Sequence, residues 1–325
     1  MTNRRALIGA LAASALAASL PVAAATDKRV ARLGMLGTGV NSRSAYFFVA
    51  FEQRLRELGY VEGQNLTIDF RAVEGAQKLH DLAVNMVRER PDVMVVTGPE
   101  APLKALRDAT TTIPIVLIAL NFDPVAKGYI ESLARPGGNI TGLFQRTLDV
   151  AAKQLELFRE ALPKATRFVV LWEAFASDEL ASVEARARAI GVAVEMVETR
   201  PPYDLEAAFA VIARSRPDGV LSLPSPVFFR ERARLASLAL RHRLPLMDGR
   251  DAPRAGAFMG FGADLAEIYR RAADYVDKIL KGAKPADLPI EQSTKFELIV
   301  NFRTARELGI TIPQTVVLRA DEVIR

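Results

Sequence analysis

The sequence contains no cysteine and only two histidines, His80 and His242, among its 325 residues. Without cysteine the chain cannot form disulfides, thiolate metal sites, a cysteine nucleophile or a lipid attachment through sulfur. Two histidines far apart in the sequence argue against a histidine-rich metal site. We therefore expect a protein that binds no metal and uses no cofactor.

A strong excess of charge of one sign is also missing. Lysine and arginine together number 43, and aspartate and glutamate number 38, so the formal net charge is +5. Two of the cations, Arg4 and Arg5, lie in an N-terminal segment that we expect to be removed, which leaves 5 − 2 = +3. Because this excess is small and scattered along the chain, it gives no reason to expect nucleic acid as a partner.

One long hydrophobic run occurs, at the N-terminus. Residues 6–20 follow the pair Arg4-Arg5 and precede the sequence AAA at 23–25, which offers an A-x-A cleavage site. This pattern is typical of a signal peptide, here residues 1–25, and predicts export to the periplasm. The paired arginines permit the twin-arginine route. A short membrane anchor is the alternative, although the run is short and rich in alanine for a membrane span.

Short apolar runs alternate with helix-length segments in the first half of the chain. The apolar runs cover residues 93–96, 115–120 and 140–144, and helices are predicted at 103–109 and 125–133. This alternation predicts βαβ units with parallel strands. In such a sheet the strand ends and the helix starts converge on one edge, where ligands bind.

A second α/β unit of similar size follows, and the chain then continues past it. Strands are predicted at residues 167–172, 191–197, 219–223 and 245–247, with helices between them. A further apolar run at 257–261, a long helix and a tail exceed what the second unit needs by itself. They predict a chain that crosses back to the first unit and returns once more. No Gly/Ser-rich or Pro-rich linker separates the units, so short hinge segments are expected to join them.

Several stretches of the chain resemble the solute-binding components of bacterial ABC-type import systems, a family that includes tryptophan-binding members. They are LRELGYVEGQNLTIDFR (residues 55–71), DPVAKGYIESLARPGGNITGL (123–143), KQLELFREALP (153–163), YVDKILKGAKPADLPIEQ (275–292) and LGITIPQTVVLRADEVI (308–324). They follow one another in order and span most of the chain beyond the N-terminal segment.

The resemblance implies an α/β fold of the type I periplasmic binding protein class. In this fold two Rossmann-like lobes with parallel sheets are joined by a three-crossing hinge, and a ligand lies in the cleft between them. The boundaries expected on this basis are residues 26–146 plus 259–288 for the N-terminal lobe, and 147–258 plus 289–325 for the C-terminal lobe.

The resemblance also implies a function without catalysis. Its partners would be a small-molecule ligand and an ABC permease in the inner membrane, and the protein would be a monomer. The family does not determine the ligand, because this chain departs from the common pattern at Trp172-Glu173 and at residues 222–226.

Polar residues at the predicted strand ends supply the candidate ligand contacts. The first lobe offers Thr38, Ser42, Thr97, Gly98, Glu100, Asn121 and Asp123, and the second lobe offers Trp172, Glu173, Ser222, Ser225 and Asp248. Backbone N–H groups at helix starts favour a carboxylate, and Asp248 could accept a hydrogen bond from an ammonium group. An amino acid or a related aromatic or carboxylated metabolite would therefore fit.

Helix capping is the structural alternative for four of these residues. Thr97, Asp123 and Ser225 stand where a predicted helix begins, and their side chains could cap its first N–H groups. Glu100 follows Thr97 at the spacing of a capping box.

Two further candidates also have alternatives. Asp248 could form a salt bridge with Arg250 instead of contacting a ligand. Trp172, the one tryptophan, ends a predicted strand, and strand alternation predicts that it forms a wall at the mouth of the cleft. The alternative is a tryptophan buried in the core beneath Phe175.

Three function classes remain open from the sequence. The first is a periplasmic protein that captures a solute and presents it to a permease by closing its lobes. The second is a periplasmic sensor that docks on a receptor. The third is a secreted α/β enzyme, for which the chain offers no G-x-S-x-G motif and no histidine at a strand end.

Overall fold

The computed structural model describes residues 30–38, 43, 45–73, 78–120, 122–145, 148–292 and 295–325. The predicted signal peptide and two of the candidate contacts, Ser42 and Asn121, lie outside these residues. The described residues form thirteen strands and eleven α-helices.

The strands are β1 Ala31–Thr38, β2 Leu66–Val73, β3 Val93–Gly98, β4 Ile115–Leu120, β5 Ile140–Gln145, β6 Arg167–Trp172, β7 Ala193–Glu198, β8 Gly219–Ser222, β9 Leu246–Asp248, β10 Met259–Ala263, β11 Glu291–Gln292, β12 Phe296–Asn301 and β13 Glu322–Ile324. The helices are α1 Tyr46–Glu57, α2 Leu79–Arg88, α3 Glu100–Ala109, α4 Leu148–Ala161, α5 Leu180–Ala189, α6 Leu205–Ser215, α7 Pro226–Arg230, α8 Arg232–Arg241, α9 Leu265–Leu280, α10 Phe302–Leu308 and α11 Gln314–Val317.

The strands build two separate sheets. The first has the order β11-β5-β4-β3-β1-β2, and the second has the order β13-β12-β10-β9-β8-β6-β7. All pairings are parallel except that of β10 with β12, which is antiparallel. Two mostly parallel sheets with helices confirm the predicted α/β fold with two lobes.

The central strands are buried on both faces because helices cover both sides of each sheet. In β3, Val93 and Val95 pack with α1 and α9, whereas Met94 and Val96 pack on the opposite face with α2 and α3. The whole of β3 is buried as a result. This explains why the strand is recognised in the sequence as a continuous apolar run.

One predicted helix is not formed. Residues 125–133 make a series of turns between β4 and β5. Gly128 has a φ of +71°, which lies outside the right-handed helical region, and the turns end before Gly137, with a φ of +84°. The helical spacing of the apolar residues there does not overcome this backbone.

The chain crosses between the sheets three times, and two predicted lobe boundaries are wrong in detail. β10 pairs with β9 and β12 in the second sheet, although residues 259–288 were expected in the first lobe. Glu291 and Gln292 of β11 pair with β5 in the first sheet, although 289–325 were expected in the second. Short strands such as these fit either sheet by composition, so only the pairing assigns them. The crossings therefore follow β5, β10 and β11.

Helix α9 returns the chain to the first lobe directly after β10. Asp264 caps its start by accepting hydrogen bonds from the backbone N–H groups of Ala266 and Glu267. Its apolar face, with Ile268 and Val276, packs in the same core as α1. No helix of the described ranges is both long enough and apolar enough to span a bilayer.

Gly142 in β5 allows a test of how closely this strand packs against the neighbouring strand β4. Its φ is +135°, and a Cβ atom there would lie 2.1 Å from the carbonyl oxygen of Leu117 in the neighbouring strand. We expect Gly142→Ala to lower the free energy of unfolding by about 2–4 kcal/mol, from backbone strain and overpacking together. Urea denaturation measures this change. Gly138→Ala is the matched control, since nothing lies within 4 Å of its added Cβ. Equal effects of the two substitutions would contradict the prediction.

Candidate functional site

A cavity of about 180 Å³ lies between the two lobes, at the carboxyl ends of the parallel strands. Thr38, Gly98 and Gln145 reach it from the ends of β1, β3 and β5, and Asp248 reaches it from the end of β9. Further strand residues, loops and helices of both lobes complete the lining, so that both lobes enclose the same space. We call this space the cleft cavity.

The first lobe contributes an aromatic wall to the cleft cavity, formed by Phe47, Phe48 and Tyr269. The ring centroids of Phe47 and Tyr269 are 4.7 Å apart, and those of Phe48 and Tyr269 are 5.2 Å apart. A hydrogen bond joins the hydroxyls of Tyr269 and Thr97. Burial raises the pKa of Tyr269 above its usual range, so this hydroxyl stays neutral. The wall can pack against a planar or apolar group.

The second lobe closes on this wall through Phe229 and Asp251. The ring of Phe229 lies 5.5 Å from that of Phe47 and 6.3 Å from that of Tyr46. The Tyr46 hydroxyl donates a hydrogen bond to Asp251 across the gap. Burial, followed by the charge of Asp251, raises the pKa of Tyr46 above its usual range, which keeps it a donor. The lobes are thus in contact in this structure.

Asp248 is a buried carboxylate with no cationic partner among the described residues. It is 7% exposed, and its Oδ1 accepts a hydrogen bond of 2.7 Å from the backbone N–H of Gly249. Burial raises its pKa to about 7, although the Gly249 N–H and the charge of Arg232 act to lower it. The predicted alternative, a salt bridge to Arg250, is not formed. Asp248 is therefore a buried carboxylate whose charged form would be stabilised by a cation bound beside it.

Arg250 is occupied elsewhere. Its guanidinium forms ion pairs with Asp251, Asp264 and Glu297, and its side chain is 12% exposed. This network joins the segment after β9 to the start of α9 and to β12. Arg250 consequently has a structural role beside the cleft cavity.

Arg232 is the cation of the cavity lining that has no carboxylate partner among the described residues. Its Nη1 donates a hydrogen bond of 2.7 Å to the carbonyl oxygen of Phe229, and its guanidinium lies 4.6 Å from the centre of the Phe229 ring. These two contacts hold the side chain and leave other N–H groups for a ligand. Arg232 and Asp248 are thus a cation and a carboxylate in one lining, neither of which forms an ion pair with a described residue, although the charge of Arg232 acts on Asp248.

Five of the predicted contacts line the cleft cavity: Thr38, Thr97, Gly98, Ser225 and Asp248. Ser225 also caps α7, because its Oγ accepts hydrogen bonds from the backbone N–H groups of Val227 and Phe228. Capping and cavity lining are therefore compatible at this residue. Thr38 adds a buried hydroxyl with no hydrogen-bond partner among the described residues.

Glu100 and Asp123 are not part of the cavity lining. Glu100 accepts a hydrogen bond from Tyr129 and pairs with Lys127. The predicted capping box with Thr97 is wrong, because α3 starts after Pro99 without a side-chain cap. Asp123 caps a turn by accepting from the N–H groups of residues 125 and 126. Local hydrogen bonds account for both carboxylates.

Trp172 and Glu173 also lie outside the lining of the cleft cavity. Trp172 shares a face of β6 with Phe168 and Val170, and α4 and α5 cover that face. Alternation therefore directs the partly buried indole toward the core of the second lobe, and Phe175 lines the cavity instead. Glu173 accepts from the N–H of Phe175 at the start of a short 3-10 helix.

Ser222 is fully buried in β8 and has no place in the lining either. Its Oγ has no hydrogen-bond partner among the residues that the structure describes. Ser42 and Asn121 lie outside the described ranges. Within those ranges, no cluster of three or more histidine, aspartate or glutamate side chains is arranged to hold a metal ion.

Several lining residues were missed by the sequence reasoning. Phe47 and Phe48 carry a signal that could have found them, because a run of aromatics opens the helix after the first strand. Tyr269, Arg232 and Gln154 carry none, since they lie within helices at ordinary amphipathic positions.

Comparison with known proteins shows which family the chain belongs to. The model of a family described as ABC transporter substrate binding protein matches residues 47–324. The chain is 26% identical over 269 residues to a tyrosine-binding protein from Clostridioides difficile (strain R20291), covering 80% of this chain and 75% of that protein.

Two solved structures share the fold. A conserved domain protein from Vibrio cholerae O1 biovar El Tor superposes with a TM-score of 0.81 at 26% identity, over 91% of this chain and 100% of that one. The ABC domain in complex with L-Trp from Streptococcus pneumoniae superposes with a TM-score of 0.79 at 24% identity, over 90% of this chain and 99% of that one.

The buried carboxylate predicts a pH dependence of stability without ligand. The pKa of Asp248 is raised to about 7 in the folded protein, above the 3.8 of an unperturbed aspartate. The folded state then binds the proton more tightly, so the contribution of Asp248 to stability is present below pH 4 and lost as pH rises to about 7. In urea denaturation, the free energy of unfolding of the wild type should fall between pH 4 and pH 7.5 by up to about 4 kcal/mol more than that of Asp248→Asn. Parallel curves for the wild type and the variant would contradict the prediction.

Proposed function

The chain belongs to the ABC transporter substrate-binding protein family, and we propose that its ligand is an aromatic α-amino acid. As a member of that family the protein captures a solute for an ABC-type importer. The family membership leaves the chemical identity of the solute open. The lining of the cleft cavity narrows the choice of solute.

The observation that carries the proposal is the combination of one aromatic wall with a cation and a carboxylate that form no ion pair within the described residues. Asp248 suits an ammonium group, and the free N–H groups of Arg232 suit a carboxylate. A zwitterion places an opposite charge beside each group, whereas an uncharged sugar offers them hydrogen bonds without a charge. The wall of Phe47, Phe48 and Tyr269 then favours an aromatic side chain. The similarity to a tyrosine-binding protein supports the same class of ligand.

Export and delivery complete the proposal. Cleavage after residue 25 would release a monomer into the periplasm, where the two lobes close on the amino acid. The closed form would then be presented to a permease in the inner membrane. The cross-lobe contacts of Phe229 and of Tyr46 with Asp251 would stabilise this closed form.

A ligand screen tests the class of solute. At a hundredfold excess over its dissociation constant, L-tyrosine, L-tryptophan or L-phenylalanine should raise the free energy of unfolding by about 2.7 kcal/mol. L-Alanine and the deaminated analogue 3-(4-hydroxyphenyl)propionate should bind much more weakly, because each lacks one of the matched groups. Affinity should fall between pH 8 and pH 6 as Asp248 becomes protonated.

Isothermal titration calorimetry on variants locates the ammonium site. Asp248→Asn should weaken binding of the amino acid by about 2–5 kcal/mol, since the ligand ammonium loses its buried partner. The exposed residue Asp81 provides the control Asp81→Asn, which should bind normally. Tight binding of the deaminated analogue, or unchanged affinity of Asp248→Asn, would refute an amino-acid ligand.

Closure gives an independent prediction. Aromatic contacts contribute about 0.5–1.5 kcal/mol each and a charge-assisted hydrogen bond about 1.5–3 kcal/mol. The double substitution Phe229→Ala with Tyr46→Phe should therefore open the ligand-free protein. Small-angle scattering should show a larger radius of gyration, and Val211→Ala at an exposed helix position should leave it unchanged. An unchanged radius in the double variant would exclude these contacts as the closure device.

A further inference from the structure

Gln154 on α4 is a buried polar residue that borders the cleft cavity. It is 1% exposed, and it belongs to the cavity lining. Its Nε2 donates hydrogen bonds to two backbone carbonyl oxygens, that of Phe261 at 2.7 Å and that of Asp248 at 3.3 Å. These two bonds use both N–H groups of the amide, which determines which end of the side chain is the acceptor.

The other end of this amide is unsatisfied. The carbonyl oxygen Oε1 of Gln154 accepts no hydrogen bond from any described residue, although it is buried. A buried acceptor without a donor is destabilising, and native proteins usually satisfy such groups. The amide cannot turn over to solve this, because its N–H groups would then face no carbonyl oxygens.

Gln154 and Asp248 both belong to the lining of the cleft cavity, and each has acceptor capacity that no described residue uses. The Asp248 carboxylate accepts one backbone hydrogen bond and retains further acceptor capacity. A ligand group with several N–H donors would match this pair, and a group with acceptors alone would not. An ammonium has three such donors.

We propose that Gln154 is a specificity-determining contact, whose Oε1 accepts an N–H of the ligand ammonium beside Asp248. This inference rests on the proposed amino-acid ligand and adds a second acceptor to it. Asp248 supplies the charge, and Gln154 supplies a neutral acceptor of fixed direction. Neutral acceptors add N–H recognition without the cost of burying a second negative charge.

The position of Gln154 relative to the hinge gives this contact a further consequence. Helix α4 follows the first crossing, and Phe261 belongs to β10, which leads into the second crossing. The bond to Phe261 therefore joins segments beside two of the three crossings, and the bond to Asp248 joins α4 to the end of β9. A ligand that engages Oε1 contacts the hinge region directly as well as the lobe surface.

Calorimetry with L-tyrosine and 3-(4-hydroxyphenyl)propionate tests the contact. Gln154→Met keeps the length of the side chain and removes the acceptor. It should weaken L-tyrosine binding by about ten- to a hundredfold, as expected for a hydrogen bond to a charged group. Binding of the deaminated analogue should change by less than about threefold, a difference well below that expected for such a bond. Gln53→Met on the exposed face of α1 is the control and should bind both ligands normally.

Gln154→Glu distinguishes recognition from a purely structural role. This variant keeps an oxygen acceptor but, like Gln154→Met, loses the two bonds donated to Phe261 and Asp248. It should therefore bind L-tyrosine more tightly than Gln154→Met does, and its added negative charge should disfavour the deaminated analogue further. A purely structural role predicts equal losses for the two ligands. Equal losses in either variant, or no loss in Gln154→Met, would overturn the proposal. If Gln154→Met does not fold, Gln154→Glu decides by the same comparison. Failure of the wild type to prefer L-tyrosine over its analogue would instead refute the amino-acid ligand.

Discussion

Parallel strand direction is the constraint on which the site depends. In both sheets the strands that border the gap run toward it, so their carboxyl ends deliver Thr38, Gly98 and Asp248 to one space. The helices that follow the strands, and α9 after its crossing, add the aromatic side chains. Had β10 not led directly into α9, Tyr269 would not complete the wall that faces the second lobe.

The charged residues around the cleft fall into two groups, one that holds the fold together and one that is available to a ligand. Arg250 is saturated by three carboxylates, and this network connects the end of β9 with α9 and β12. A buried ion-pair network of this kind holds elements in position more than it adds net stability. Asp248 and Arg232 stay outside it. Burial disfavours the charged form of Asp248, and the ammonium of a zwitterionic ligand would offset that penalty.

Opening and binding are coupled through the same few elements. Phe229 and Asp251 of the second lobe contact α1 of the first, so the lobes touch in this structure. A ligand can shift the equilibrium between open and closed forms only by its additional affinity for the closed one. Residues that contact both the ligand and the crossings, as inferred for Gln154, are where that additional affinity arises.

Much of the architecture was predictable because it depends on local pattern. The apolar runs of β3 and β4, buried on both faces, required a parallel sheet between helices, and the excess of elements after β9 required the chain to cross back. Polar residues at strand ends, such as Thr97 and Asp248, followed from the same rule. The absence of cysteine excluded whole classes of chemistry from the composition alone.

Tertiary structure decided the rest, because it depends on partners that are distant in the sequence. Trp172 and Phe175 are both aromatic residues near the end of β6, and only the helices packed on that strand determine which of them faces the cleft. The short strands β10 and β11 fit either sheet until they are paired. Likewise, the sequence contains many arginines and aspartates. Which cation and which carboxylate are left without an ion pair is determined by three-dimensional neighbours, since ion pairs form between residues that the fold brings together.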